Sequence, residues 1–283
     1  MGYRLRELLE SYDEISSLPM IFYRISEAVN DPRASMADIG KIISDDPGLT
    51  VRLLRVVNSA FYGFPSKIGT ITQALVIIGT RQLCDLALGT SVITLFKGIP
   101  EDLVTMESFW RHSITCGIAA ETLAAYRRET NLERFFVAGM IHDIGRLVIY
   151  KKMSQEAQEM LLRCKSSGAL LFLGEREAIG FDHATLGSTL LRSWNLPPGI
   201  VEAVAFHHQP REAKHYPIET AVVHVADIIA NAIQSGSSGE CFVPPLDEGV
   251  WEILGLSTSI LSSTLDHLER HVNDMAHSIL IER

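Results

Sequence analysis

The chain has 283 residues, enough for one large core or two modest ones, and its 47% hydrophobic and 21% charged residues are those of an ordinary globular protein. No run approaches the roughly 18 to 20 unbroken apolar residues of a membrane span, and the N-terminus MGYRLRELLESYDE is too charged for a signal peptide, so a cytoplasmic protein with no membrane partner is expected. Residues 1–100 hold 10 Lys and Arg against 10 Asp and Glu, which places the whole net charge of −9 in 101–283 and disfavours nucleic acid as a partner.

Taken in order, the punctuation reads as helix after helix. Residues 3–14 suggest a short amphipathic lead helix, and Ser17 with Pro19 opens a second that ends at Asn30-Asp31-Pro32. Ser35 caps a third through Ile43. Asp46-Pro47 is an N-cap followed by a first-turn proline for PGLTVRLLRVVNSAF, whose Leu49, Leu53, Leu54, Val57 and Phe61 fall on one side. Gly63 and Pro65 break the chain, Thr70 precedes TQALVIIG, and Thr80 caps RQLCDLALGTSVITLF. Arg52, Arg55, Lys67 and Arg81 read as a solvated helix face, with a small basic patch as the other reading. Phe61, Tyr62 and Phe64 read either as a partner site or as packing against the second half.

The second half continues with helices expected over about 103–126, 132–150, 154–167, 174–179, 183–195, 198–208, 217–234, 247–254 and 258–281. GSSGECFVPP, after Gln234, reads as a surface loop. The stripe of the last helix suits packing on its own chain or on a second copy, so a homodimer stays open. No alternating pattern persists long enough for a sheet. The expected fold is all-α, an N-terminal helical bundle over 1–100 packed on a second bundle over 101–235, with 236–283 supplying a loop and C-terminal helices. None of the 10 histidines lies in the first hundred residues and seven fall between His112 and His224, which supports a boundary near 97–102.

Cys84, Cys116, Cys164 and Cys241 form no CxxC pair, so reduced and mostly buried thiols are expected. The chemistry centres on FFVAGMIHDIGRLVIY, Phe135 to Tyr150, where His142 and Asp143 sit inside an almost wholly apolar helix candidate. An ionised carboxylate there costs several kcal/mol unless it is paired, hydrogen-bonded, protonated or bound to a cation, and a metal is the leading partner. His112 sits on the preceding long helix. His183 starts DHATLGSTLLRSW, His207 and His208 end IVEAVAFHH, and His224 and Asp227 share a face of TAVVHVADIIANAI. Imidazole and carboxylate together suit one or two divalent ions such as Zn, Fe, Mn or Ni. Each residue alone also has a plainer explanation; for His224 that is a satisfied core side chain. The joint occurrence carries the metal reading.

His112, His142-Asp143 and Asp227, in that order, resemble the H…HD…D signature of the HD superfamily of metal-dependent phosphohydrolases. LPMIFYRISEAVNDP, IISDDPGLTVRLLRVVNSAFYG, ITQALVIIGTRQL, FVAGMIHDIGRLVI, FDHATLGSTLLRSWNLPPGIVEAVAFHHQP and VVHVADIIA resemble the HDOD domain of bacterial signalling proteins, over about 14–230. That resemblance implies a helical output or regulatory module whose second bundle is HD-like. Its expected partners are signalling proteins or a phosphate-containing small molecule.

The chain is also similar in part to the HD-GYP phosphodiesterases of cyclic di-GMP. His183 matches their next histidine, His207-His208 their HH pair and Tyr216-Pro217 the end of GYP. Arg146 stands where those enzymes have Lys, Gln209 where an acid follows HH, and His215 where GYP has Gly. The implied metal ligands are His112, His142, Asp143, His183, His207, His208 and Asp227. Asp143 and Arg146 are the implied catalytic pair, with Arg146 able to hold a phosphate. Three readings stay open: a metal-binding signalling module, a metal-dependent phosphodiesterase or phosphohydrolase, and a metal-free scaffold.

Overall fold

A computed structural model of the chain describes residues 18–96 and 98–280. The expected lead helix over 3–14 and the cap at Ser17 lie outside the described residues. Among the described residues all regular structure is helical, with no strand.

The first half holds α1 (Met20–Asn30), α2 (Met36–Ser44), α3 (Pro47–Val57), α4 (Ile71–Ile78) and α5 (Thr80–Leu95). Its caps follow the side chains that supply them. Ser35 and Asp38 form a reciprocal capping box on α2, Asp46 accepts from Leu49 N at 2.9 Å ahead of Pro47, and Thr70 accepts from Gln73 N at 3.2 Å. Thr80 is the first residue of α5 and not its cap, because Gly79 holds the cap position without a side-chain bond. Helix α3 stops at Val57 instead of running on to Phe61. The Asn58 side chain donates to Ile68 O and accepts from Ile68 N, both at 2.8 Å, and so folds the following segment back on the helix end.

The second half holds α6 (Met106–Tyr126), α7 (Glu133–Ile141), α8 (Ile144–Lys152), α9 (Ser154–Ser167), α10 (Leu171–Ile179), α11 (His183–Ser193), α12 (Pro198–Phe206), α13 (Pro217–Ala232), α14 (Val250–Leu254) and α15 (Ile260–Leu280). Helix α15 packs on α6 and on α3 of its own chain. Asp274 accepts from Ala60 N at 2.6 Å, and the Phe61 ring meets Phe136, His267 and His271 at 6.4, 5.6 and 5.8 Å. Phe61 therefore joins the two halves, and a single cluster of buried apolar side chains runs through both. No single described helix is long and apolar enough to cross a membrane; α4 and α5 together are, but they bend by 118°.

Two close approaches set up the interior of the second half. A Cβ on Gly139 would lie 2.8 Å from Cys116 O, so only glycine lets α7 press this near α6. A Cβ on Gly145 would strike the His183 carbonyl, so α8 lies directly against the start of α11. The stretch expected as one helix over 132–150 is accordingly two helices, broken at His142-Asp143. The break turns the chain from its contact with α6 to its contact with α11.

Candidate metal centre

Five segments bring the charged and imidazole side chains together. His112 lies a third of the way along α6, His142 and Asp143 fill the break between α7 and α8, His183 opens α11, His207 and His208 follow α12, and Asp227 lies on α13. Asp182 caps α11 by accepting from Thr185 N at 2.8 Å, which fixes where His183 projects. All seven side chains expected as ligands meet, in two groups: His112, His142, Asp143 and Asp227, and His183, His207 and His208.

The separations fit ligands around ions. In the first group His112 Nε2 is 3.6 Å from Asp143 Oδ2 and 3.3 Å from Asp227 Oδ1, and His142 Nε2 is 3.2 and 3.4 Å from the same two atoms. In the second, His183 Nε2 is 3.3 Å from His207 Nε2 and 3.0 Å from His208 Nε2. Donor atoms held about 2.1 Å from one ion at about 90–109° stand about 3.0–3.4 Å apart. Asp143 links the groups, its Oδ2 facing the first and its Oδ1 2.9 Å from His183 Nε2.

Backbone and carboxylate acceptors set the imidazole tautomers. His142 Nδ1 donates to Gly139 O at 2.7 Å, His207 Nδ1 to Val204 O at 2.8 Å and His183 Nδ1 to Glu175 Oε2 at 2.6 Å. Each of these rings, when neutral, thereby turns an Nε2 lone pair inward, the arrangement of metal-ligating histidine. The inner atoms His112 Nε2, His142 Nε2 and Asp143 Oδ1 are buried and form no well-aligned hydrogen bond; what faces them is the other ligand candidates. Buried imidazole and carboxylate atoms turned on one another in this way fit a divalent metal ion between them.

Electrostatics point the same way. Burial favours the neutral form of Asp143, but Arg146, His142 and His183 outweigh it and hold the carboxyl well below its usual range. Burial likewise lowers His142, yet the Asp143 charge overcomes it and the imidazole stays protonated well above its usual value. His183 rises to about 9, since Glu175 and Asp143 overcome burial and Arg146. His207 is pushed down to about 3 by burial and by the charged His142 and His183. Two protons on imidazoles thus do for the buried carboxylates what a divalent cation does better.

His224 is not part of the cluster. Its Nδ1 donates to His207 O at 2.6 Å and its Nε2 accepts from Asp247 N at 3.0 Å, so it is a satisfied histidine that braces the His207 backbone. Arg146 reaches the centre but is enclosed there. Its guanidinium donates to Ser238 Oγ, lies 3.3 Å from Asp143 Oδ2 and 3.5 Å from Glu175 Oε1, and the residue is 2% exposed. The structure gives it protein partners where a phosphate was expected.

Several contributors escaped the sequence reading. Glu175 is fully buried behind His183, and its place in the apolar stretch LFLGEREAI is the same signal that singled out Asp143. Ser238 lies in the segment expected as a surface loop. It is buried between Arg146 and Tyr150, whose hydroxyl donates to Ser238 O at 2.6 Å. Phe172 stacks on the His208 ring at 4.2 Å, and the Arg176 guanidinium lies 5.3 Å from the centre of the Phe172 ring.

The profile of the HDOD domain matches residues 15–210. The chain belongs to the HDOD domain family. An HDOD domain protein of unknown function from Geobacter sulfurreducens shares the fold at a TM-score of 0.77, with 22% identity and 96% of each chain covered. A candidate phosphohydrolase from Shewanella amazonensis SB2B does so at 0.75, with 24% identity and again 96% of each chain. An uncharacterized protein of Treponema pallidum (strain Nichols) is 26% identical over 215 residues, which is 74% of this chain. The matched region spans 40% of that relative's length.

Proposed function

We propose that this HDOD chain is a cytoplasmic regulatory module of bacterial signal transduction whose C-terminal half holds two divalent transition-metal ions, Fe, Mn, Ni or Zn, and that it acts through a protein partner or a bound nucleotide. His112, His142, Asp143 and Asp227 would hold one ion, and His183, His207, His208 and Asp143 the other. The observation that carries this reading is the set of buried Nε2 and Oδ1 atoms turned on one another around Asp143.

Bound there, a divalent ion supplies Lewis acidity and positive charge for phosphoryl oxygens. The chain's own residues orient and enclose. Glu175, Gly139 O and Val204 O hold the imidazole tautomers, and Arg146 balances Asp143 and Glu175. Phe172 covers His208. A regulatory role is favoured over turnover because His208 alone among the proposed ligands is more than slightly exposed, and Phe172 lies over it.

The second reading, a metal-dependent phosphodiesterase or phosphohydrolase acting on a cyclic dinucleotide, is favoured by the same ligand set. Elemental analysis of protein purified without a histidine tag tests the metal, and a stoichiometric transition metal excludes the metal-free scaffold. Mn- or Fe-loaded protein offered cyclic dinucleotides, nucleotides and generic phosphodiesters then separates the two roles. Metal-dependent turnover lost in Asp143→Ala would establish the enzyme; no turnover across the panel leaves the regulatory module.

A further inference from the structure

Away from the metal centre, a cavity of about 730 Å³ opens where α3 and α5 meet α6 and the end of α15. That volume falls within the range of small-molecule sites, roughly 300–1,000 Å³. Its wall is mostly apolar, with Phe96, Met106, Trp110 and Ile279 contributing, and two guanidinium groups reach it, Arg52 from α3 and Arg111 from α6.

The two cations differ in what holds them. Arg111 donates to Asn273 Oδ1 across 2.5 Å, which fixes its direction but leaves its charge unbalanced. Arg52 is half-buried, forms no hydrogen bond or ion pair among the described residues, and has a buried Nε without an acceptor. A guanidinium drawn out of water and left unpaired is costly, and a buried donor of this kind implies a missing acceptor. The nearby acids do not fill the role. Asp46 is spent on capping α3, and among the described residues lining the cavity Glu107 is the one carboxylate, set against the two guanidinium groups of Arg52 and Arg111. In a chain of net charge −9, that local excess of cationic groups facing an apolar wall is a specific feature.

We infer that this cavity binds a small amphipathic anion, a carboxylate or phosphate headgroup on an apolar body. The headgroup lies between Arg52 and Arg111, and the body lies against Phe96, Met106 and Trp110. Guanidinium suits either oxyanion through paired N–H donors. This inference goes beyond the metal reading and stands without it.

Isothermal titration of the full chain tests it with four probes. Decanoate and decyl phosphate carry the two headgroups, decanol lacks the charge, and inorganic phosphate lacks the apolar body. Saturable one-to-one binding of at least one of the two anionic amphiphiles is expected, at least tenfold tighter than either control, and their relative affinities separate a carboxylate from a phosphate ligand. Arg52→Gln, which removes an unpaired cation, is expected to weaken binding tenfold or more. Ala276→Trp, which fills the cavity from α15, is expected to abolish it, with thermal melts checking that each variant folds. Should Ala276→Trp fail to fold, Arg52→Gln decides alone. The inference is overturned if neither anion binds with defined stoichiometry, if decanol binds as well as the tighter of the two anions, or if Arg52→Gln binds that anion as the native chain does.

Discussion

The Glu175 carboxylate grips His183 twice, accepting from its backbone N at 2.7 Å and from its Nδ1 at 2.6 Å. The first bond fixes the start of α11 and the second fixes the tautomer. Replacing Glu175 by Gln keeps the shape and removes the charge that orients the ring. Metal affinity of the His183, His207 and His208 group is expected to fall about 10- to 100-fold, while the His112, His142 and Asp227 group stays loaded. Metal counts under a graded chelator read the difference, and equal loss from both groups would contradict it.

Asp143 faces both groups, so its removal acts on both. In Asp143→Ala the protein is expected to lose all bound transition metal, whereas Asp227→Ala leaves metal at the second group. Elemental analysis of the two variants side by side is the check.

Metal removal lowers stability by linkage. With free metal about 100-fold above its Kd, each ion adds about 2.7 kcal/mol to the folded state. Exhaustive chelation is therefore expected to lower Tm by several degrees, and returning Mn or Fe to restore it. An unchanged melt would count against a bound ion.

Gly145 tests the contact of α8 with α11. Ala at 145 drives a methyl into the His183 backbone, where no flexible side chain can yield. A loss of about 1–3 kcal/mol or more is expected, together with loss of metal from the second group. Urea denaturation and metal counts measure the two effects.

Glu121 supplies a pH signature remote from the metal centre. Burial raises its carboxyl well above the ordinary 4.5, with a further push from Glu133, and its Oε2 has no hydrogen-bond partner. The folded state therefore holds this proton more tightly than the unfolded state, and the contribution to stability falls as pH rises from about 4.5 through the folded value. Glu121→Gln is expected to stabilise the protein at pH 8 and to lose that advantage as pH approaches 4.5. Denaturation curves at both ends of the range give the sign.

Helix starts were legible in the sequence at Ser35, Asp46 and Thr70, each a single side chain near the first turn, whereas the caps Thr105 and Asp182 were not singled out. The His/Asp cluster was legible for a different reason: charged and imidazole side chains in apolar helices demand partners, and several such residues pointed to one another. What stayed hidden depends on contacts far along the chain. The apolar periodicity of 132–150 runs unbroken through His142-Asp143, and the break follows from the fit of Gly145 against His183. Ser238 has loop-like neighbours in sequence, and its burial is set by Arg146 and Tyr150, about 90 residues earlier.

The ligand segments run from 112 to 227, so 227 − 112 gives a span of 115 residues closed at one point. A cation gripped there acts as a removable cross-link over a very long loop, and closing that loop carries an entropic penalty that grows only slowly with its length. During synthesis the ring closes only after α13 has emerged, so the earlier helices must find their places beforehand. On the proposed metal reading, capture follows the assembly of α6 to α13, before α14 and α15 are added, and does not initiate it.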